Sequence, residues 1–153
     1  MWGLAVQAKK CSLIKYNKAI YTPFRCVYPI YVGICFSEKA YLHEMKRLGV
    51  KDYNAWITSD AGATCHTLTK ASLHTFLICI DGKDAVKKRN KVEVYGLIVH
   101  EVTHVLQGLL EYINERHPGH EMEAYFMQTM SQYFFQVYNE YCLAYRNTEN
   151  KKK

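Results

Sequence analysis

The sequence predicts an α+β fold in which three helices pack around a small β-sheet. Strand-like and helix-like segments alternate in the first half of the chain, and two long helical patterns fill the second half. The 153 residues suit one domain, so we expect a single domain over 1–153, in which 1–25 are difficult to assign. With 49% hydrophobic and 22% charged residues, the composition excludes a disordered chain, a collagen-like chain and a long coiled coil.

The first half of the chain is predicted to supply the sheet and one helix. Residues 27–36 are rich in β-branched and aromatic side chains, which is typical of a strand. Ser37 and Gly49 are suited to cap the two ends of a helix over 38–48. A loop over 50–64 follows, in which the residues around Trp56 could form a short strand. Two further strands are predicted at 64–68 and 74–80, with a hairpin over 69–72 between them.

The second half is predicted to consist of two long helices. A basic loop over 83–91 leads into a helix over 92–112, and Pro118 breaks the chain within 115–119. The last helix is predicted over 120–144. Its apolar side chains recur at helical spacing and are expected to face the core, namely Met127, Met130, Phe134, Val137, Tyr138 and Tyr141.

The chain is basic, with a formal net charge of +6. Half of this charge lies in the run 151–153, and a second basic cluster occupies 87–91. We interpret the run 151–153 as part of a disordered basic tail over 146–153, and the cluster at 87–91 as a solvated loop. Contact with phosphates is the alternative. No aromatic side chains alternate with these lysines, so no specific nucleic-acid surface is indicated.

The cysteines and the apolar runs bear on the compartment. The six cysteines include no Cys-x-x-Cys pair, which argues against a cysteine-rich zinc site. We expect most of them to be reduced, buried side chains in a cytosolic compartment. No uncharged apolar run approaches the roughly 18 residues of a membrane span, and the N-terminus lacks the charge-first pattern of a secretory signal. We therefore expect neither secretion nor contact with a membrane.

The main chemical feature is the segment His100-Glu101-Val102-Thr103-His104, an HExxH motif. Residues four apart lie on one face of a helix, so both imidazoles can reach one metal ion. Neutral nitrogen ligands at about 2.1 Å suit Zn²⁺ best, and we expect one zinc ion. Zinc lowers the pKa of a water molecule bound to it to about 7, and Glu101 can accept the proton of that water. The motif thus predicts two metal ligands and a general base.

A catalytic zinc site needs a third protein ligand and one open position. The break at 115–119 allows the last helix to fold back along the HExxH helix, and that helix carries Glu121 and Glu123 near its start. Glu123 shares a helical face with the expected core positions, whereas Glu121 lies beside the small Ala124, which leaves room for a metal ion. The two glutamates point in nearly opposite directions, so only one is expected to bind. His120 is a third candidate.

The HExxH helix, followed by a helix with the pattern Glu-x-Glu-Ala, resembles the zincin metallopeptidases. Within them it is similar to the minimal zincin-like proteins related to the ImmA/IrrE group. In that group the second helix reads approximately Glu-x-x-Ala-Asp/Asn, and its glutamate binds the metal. The resemblance therefore implies a minimal zincin-like domain with Glu121 as the third ligand. Tyr125 stands where the group has Asp or Asn, so a phenol replaces the usual partner of a ligand histidine.

A closer resemblance is to small zincin-like proteins encoded by tailed bacteriophages and prophages. It covers most of 31–138, and the matching segments are 31–40, 45–49, 58–61, 99–107 and 118–128. This closer resemblance implies the fold and the metal site but no particular substrate, whereas the resemblance to the zincin metallopeptidases implies hydrolysis of protein or peptide substrates. The closer resemblance also implies a place in the host cytoplasm or in the virion.

Four further polar residues have two interpretations each. Tyr125 could hydrogen-bond a ligand histidine or an oxyanion and is a candidate catalytic residue, or it is an ordinary packed tyrosine. Gln107 could support the site or end the polar stripe of its helix. His66 and His74, on the hairpin, could line a substrate cleft beside an edge strand, but hairpin-face histidines are the simpler interpretation.

Two other functions are compatible with the sequence. The first is a zinc-binding protein without catalysis, such as a phage structural or host-interaction component, which the small size of the chain favours. The second is a nucleic-acid-associated protein that uses the basic cluster and the basic tail, and its binding would depend strongly on salt.

Overall fold

The structure is a computed structural model that describes residues 13–24, 29–70 and 73–151, without the side chains of residues 13 and 14. Over these residues the fold is mixed α+β, with a four-stranded sheet and four α-helices. A 3₁₀ turn at Leu13–Asn17 precedes the first strand. The elements that follow are β1 (Ile20–Tyr21), β2 (Ile30–Cys35), α1 (Glu38–Leu48), β3 (Ala63–Lys70), β4 (Leu73–Ile80), α2 (Gly82–Lys87), α3 (Lys91–Tyr112) and α4 (His120–Asn150).

The sheet has the strand order β1-β2-β4-β3, which places β3 at one edge. Strands β2 and β4 are parallel, and β3 and β4 are antiparallel, with Ala63 opposite Ile80. The predicted strands at 64–68 and 74–80 are confirmed and are slightly longer than predicted. The predicted strand at 27–36 is confirmed as β2, although residues 27 and 28 lie outside the described residues.

The two faces of the sheet are covered by different helices. On one face, Ile98 of α3 and Phe134 of α4 belong to the same buried cluster as Ile78 of the sheet. On the other face, Tyr41 and Met45 of α1 pack in a smaller buried cluster. The HExxH helix α3 is therefore held between the sheet and α4.

Helix α1 is predicted correctly at both ends. Ser37 Oγ accepts a hydrogen bond from the backbone N–H of Ala40 at 3.2 Å, which satisfies one of the free N–H groups of the first turn. Gly49 has a φ of 70°, in the left-handed region that favours glycine, and its N–H donates to the Lys46 carbonyl at 3.1 Å.

Three parts of the chain differ from the predictions. The predicted loop over 83–91 contains the helix α2, because the Asp81 side chain accepts a hydrogen bond from the Asp84 N–H at 3.0 Å and caps a helix there. The residues around Trp56 form no strand, since the Trp56 carbonyl is hydrogen-bonded to a side chain instead of a neighbouring strand. The short strand β1, which pairs with β2, is not predicted.

The two long helices agree with the predictions except at the end of α4. Helix α3 begins with a capping box, in which Asn90 Oδ1 accepts the Glu93 N–H and Glu93 Oε2 accepts the Asn90 N–H. Helix α4 continues to Asn150, so the prediction of a disordered tail is wrong for residues 146–150, and residues 152 and 153 lie outside the described residues. Of the predicted core side chains, Met127 is partly buried and the other five are buried.

Two further features bear on the compartment. Within the described residues, no helix combines the length and the apolar character needed to cross a membrane. The described cysteines Cys35, Cys65, Cys79 and Cys142 are free thiols, and Cys35 and Cys79 are buried.

Candidate metal centre

His100 and His104 project from successive turns of α3 and turn their rings toward each other. Their Nε2 atoms are 3.1 Å apart. The ring centroids are 4.8 Å apart, and the ring planes are inclined by 81°. Both residues are exposed. We call these two residues the histidine pair.

The separation of the two Nε2 atoms suits the binding of one cation. Two zinc–nitrogen bonds of about 2.05 Å meet at the tetrahedral angle when the nitrogens are about 3.3 Å apart. The observed 3.1 Å corresponds to an angle of about 98° at the metal. The distance suits one cation shared by both Nε2 atoms, and it is also the distance of a hydrogen bond from one ring N–H to the other ring nitrogen.

Gln107 determines which nitrogen of His104 carries the hydrogen. His104 Nδ1 lies 3.1 Å from Gln107 Oε1. An amide oxygen only accepts hydrogen bonds, so Nδ1 donates and Nε2 presents its lone pair. Metal-bound histidines commonly donate their second ring N–H to an oxygen in this way. Gln107 therefore contacts His104, and its role in supporting a metal site stays a prediction.

Glu101 points from α3 into the junction with the edge strand. Its side chain is buried, and its carboxylate accepts a hydrogen bond from the backbone N–H of Cys65 in β3. Burial raises the pKa of the Glu101 carboxyl, whereas His100, His104, the Cys65 N–H and His66 act to lower it. The carboxylate therefore lies within electrostatic range of both histidines, at the junction of α3 and β3.

A cleft of about 500 Å³ opens beside these residues. His100 and Glu101 line one wall, and residues 61–63, which lead into β3, line the other. Glu93, Gly96, Leu97 and Arg89 complete the lining. Glu101, the candidate general base, and the start of β3 therefore line the same cleft.

The loop that borders the cleft is held by two threonines. The Thr58 N–H donates to Thr64 Oγ1 at 3.0 Å, and the two hydroxyls are also 3.0 Å apart. Between them, Asp60 has a φ of 65°, in the left-handed region, which aspartate tolerates better than most residues. These two hydrogen bonds fix the position of residues 61–63 relative to β3.

Of the cleft residues, only His100 and Glu101 were identified from the sequence, and Gly62 and Arg89 are two of those that were missed. A Cβ at Gly62 would lie 2.9 Å from Leu97 Cδ2 and 3.3 Å from Arg89 Nη2. Glycine at this position therefore lets the chain pass close to α3. The position of Gly62 just before a predicted strand could have indicated this contact, because glycine often marks a close approach of the backbone to another group.

The predicted third ligands lie in the first turn of α4. Glu121 is exposed, Glu123 is partly exposed, and His120, the first residue of α4, is exposed. Among the described residues, no group of three or more His, Cys, Asp or Glu side chains comes together in a way that could hold a metal ion. The structure therefore brings together two of the three predicted ligands, and the third stays a prediction.

Tyr125 follows Glu121 by one turn of α4. Its side chain is 61% exposed, and its hydroxyl makes no hydrogen bond within the described part of the chain. The interpretation as an ordinary packed tyrosine is therefore wrong. Its role in catalysis stays a prediction.

The hairpin histidines do not line the cleft. His66 Nε2 lies 2.9 Å from the Trp56 carbonyl oxygen, and its ring packs 4.8 Å from the Tyr41 ring on the opposite face of the sheet. The His74 ring stacks on Tyr112 at 3.8 Å. The simpler interpretation, that these histidines belong to the hairpin faces, is confirmed by these contacts.

Comparison with known proteins adds no assignment to this geometry. No protein-family model, no curated protein and no solved structure matches the chain.

Proposed function

We propose that this protein is a zinc-dependent peptidase with a zincin-like site. The histidine pair and one carboxylate from the first turn of α4, Glu121 or Glu123, hold a single Zn²⁺, and Glu101 is the general base. The observation that carries the proposal is the 3.1 Å separation of the two Nε2 atoms on one face of α3. Two neutral imidazoles at this distance share either a hydrogen bond from the N–H of one ring to the lone pair of the other, or a cation bound by both lone pairs.

Bound zinc supplies a Lewis acid that polarises a carbonyl group and makes a water molecule acidic. The residues of the chain supply the other functions. The Glu101 carboxylate accepts the proton of the water and returns it to the departing amine. Its hydrogen bond to the Cys65 N–H fixes its orientation, and burial in the junction with β3 keeps it out of bulk water.

The position of the cleft supports an extended peptide as the substrate. Strand β3 forms one edge of the sheet, and a strand edge can pair with the backbone of an added peptide. The cleft lies between the start of this strand and the face of α3 that carries His100 and Glu101. A peptide bond held along the edge would therefore pass beside the candidate base.

Replacing Glu101 with glutamine tests the catalytic part of the proposal. Glu101→Gln keeps the size of the side chain but removes the base, so zinc should be retained while hydrolysis of an unfolded protein substrate falls by about 10²–10⁴-fold. Glu93→Gln is the matched control, because Glu93 lines the same cleft and glutamine can also complete a capping box. Unchanged hydrolysis by the Glu101 variant would contradict the proposed base. A zinc-loaded wild-type chain that hydrolyses none of a varied set of peptides would show a zinc protein without catalysis.

Glu121→Ala and Glu123→Ala, compared side by side, test the third ligand. We expect Glu121→Ala to weaken zinc binding by at least about tenfold, because its exposed carboxylate is free to turn toward the histidine pair. Glu123→Ala, whose side chain is partly buried, should leave zinc binding unchanged. Zinc binding that is insensitive to both changes would contradict a ligand from this turn of α4.

A further inference from the structure

A second cavity, of about 230 Å³, lies between α2, the start of α3 and α4. Three of the residues that line it are basic, and they come from three parts of the chain. Arg89 lies between α2 and α3, Lys91 is the first residue of α3, and Arg146 lies near the end of α4. The lining includes no Asp or Glu side chain among the described residues. We call this the basic cavity.

The positive charges of the basic cavity are incompletely neutralised by the protein. Within the described residues, neither Lys91 nor Arg146 forms an ion pair. The Arg89 Nε atom lies 3.5 Å from Asp84 Oδ2, but Asp84 is paired more closely with Lys88, at 2.7 Å. Like charges that share one cavity repel each other, and an anion bound among them would remove this repulsion.

The rest of the basic cavity is mainly apolar. Tyr138 is buried, Val86 is partly buried, and Leu143 is 58% exposed. The Tyr138 hydroxyl donates to the Ala85 carbonyl at 3.2 Å, so its hydrogen is already used. An occupant would therefore meet both cationic and apolar side chains.

We propose that the basic cavity binds a small phosphorylated molecule, whose phosphate is held by Arg89, Lys91 and Arg146. A phosphate matches this set because its two negative charges and several oxygens can be shared by three cations, and the arginine guanidinium binds phosphate through paired N–H groups. The organic part of the ligand packs against Val86 and Leu143. The volume of about 230 Å³ lies below the range of about 300–1,000 Å³ typical of drug-sized ligands, so the organic part is small.

In this proposal side chains hold the phosphate, and the backbone N–H groups in the first turn of α3 do not. The Glu93 N–H in the first turn of α3 is already bonded to Asn90 Oδ1. The proposal also does not depend on the histidine pair, which lies elsewhere on α3 and does not line this cavity. Failure of the proposed peptidase and failure of this inference can therefore be observed separately.

Calorimetric titration of the full chain tests the proposal, with EDTA present so that phosphate cannot bind through a metal. The probes are phenyl phosphate, inorganic phosphate and phenol. We expect saturable binding of phenyl phosphate at one site, weaker binding of inorganic phosphate and none of phenol. Arg146→Gln and Lys91→Gln should each weaken binding of phenyl phosphate at least tenfold. Arg116→Gln, an exposed arginine in the break before α4, is the control and should leave binding unchanged.

Two outcomes would overturn the proposal. The first is an absence of saturable binding, or an equal loss of binding in the Arg116 control. The second is tighter binding to a 5′-phosphorylated oligonucleotide or to vesicles containing phosphatidic acid, with an equal loss when Lys87 and Lys88 are changed to glutamine. That result would indicate an extended surface for polyanions instead of a cavity for a small ligand. Because Lys91 and Arg146 are exposed, their variants should keep the circular dichroism spectrum of the wild-type chain.

Discussion

Replacing Gly108 with alanine tests how closely helix α3 packs on the sheet. A Cβ at Gly108 would lie 2.4 Å from Cε1 and 2.6 Å from Cζ of Phe76 in β4. Carbon atoms in contact are normally about 3.5–4.0 Å apart, so the ring or the helix must move by about 1 Å. Phe76 is 1% exposed and enclosed by the core, so its ring has no free space to enter. Such overpacking costs about 1–3 kcal/mol, whereas alanine gains about 1 kcal/mol over glycine in a helix. We expect a net loss of about 1 kcal/mol in the free energy of unfolding.

Gly96 in the same helix provides the matched control. It is exposed, and a Cβ there would have no other heavy atom within 4 Å. Gly96→Ala should therefore raise the free energy of unfolding by about 1 kcal/mol through helix propensity alone. Urea denaturation followed by circular dichroism should place the midpoints of the two variants on opposite sides of the wild-type midpoint. If Gly108→Ala were as stabilising as Gly96→Ala, the close packing of α3 against β4 would be refuted.

Three further predictions concern the site, a helix cap and two tyrosines. Gln107→Ala should weaken zinc binding about tenfold without abolishing it, because the tautomer of His104 is no longer fixed. Competition with a coloured chelator measures this, and Gln128→Ala should have no effect. Asn90→Ala should lower the free energy of unfolding by about 1 kcal/mol through loss of the capping box, and an unchanged urea midpoint would contradict this. Burial raises the pKa of Tyr41 and of Tyr141 to about 12, above the value of about 10 in the unfolded chain. The folded state therefore holds these protons more tightly, and their contribution to stability is complete below about pH 10 and is lost as the pH rises through 12. Tyrosinate absorbance of the folded chain should show these late titrations, and complete ionisation by pH 11 would count against them.

The parts of the fold that depend on local signals could be predicted from the sequence. Helix α1 is confirmed at both ends because Ser37 and Gly49 act on the backbone within a few residues. Helix α2 was missed because its six residues are too few for an apolar period, and its basic side chains favoured the interpretation of 83–91 as a loop. Strand β1 has two residues, and it exists because it pairs with β2, which no local pattern encodes.

The same distinction applies to the candidate site. The spacing of four residues on one helix is enough to bring His100 and His104 together, so this half of the site follows from the sequence. The position of Glu101 depends on the backbone of Cys65, and the cleft depends on where β3 begins. Both features are set by the pairing of the strands and by the packing of α3 on the sheet, and residue spacing along α3 does not determine either.

The zinc content of the purified chain tests the central claim most directly. After incubation with zinc and removal of the excess, elemental analysis should find one zinc ion per wild-type chain. His100→Ala and His104→Ala should each lose this zinc, while His117→Ala, an exposed histidine in the break before α4, should retain it. A wild-type chain without zinc, or a full equivalent of zinc in either variant of the histidine pair, would contradict the account.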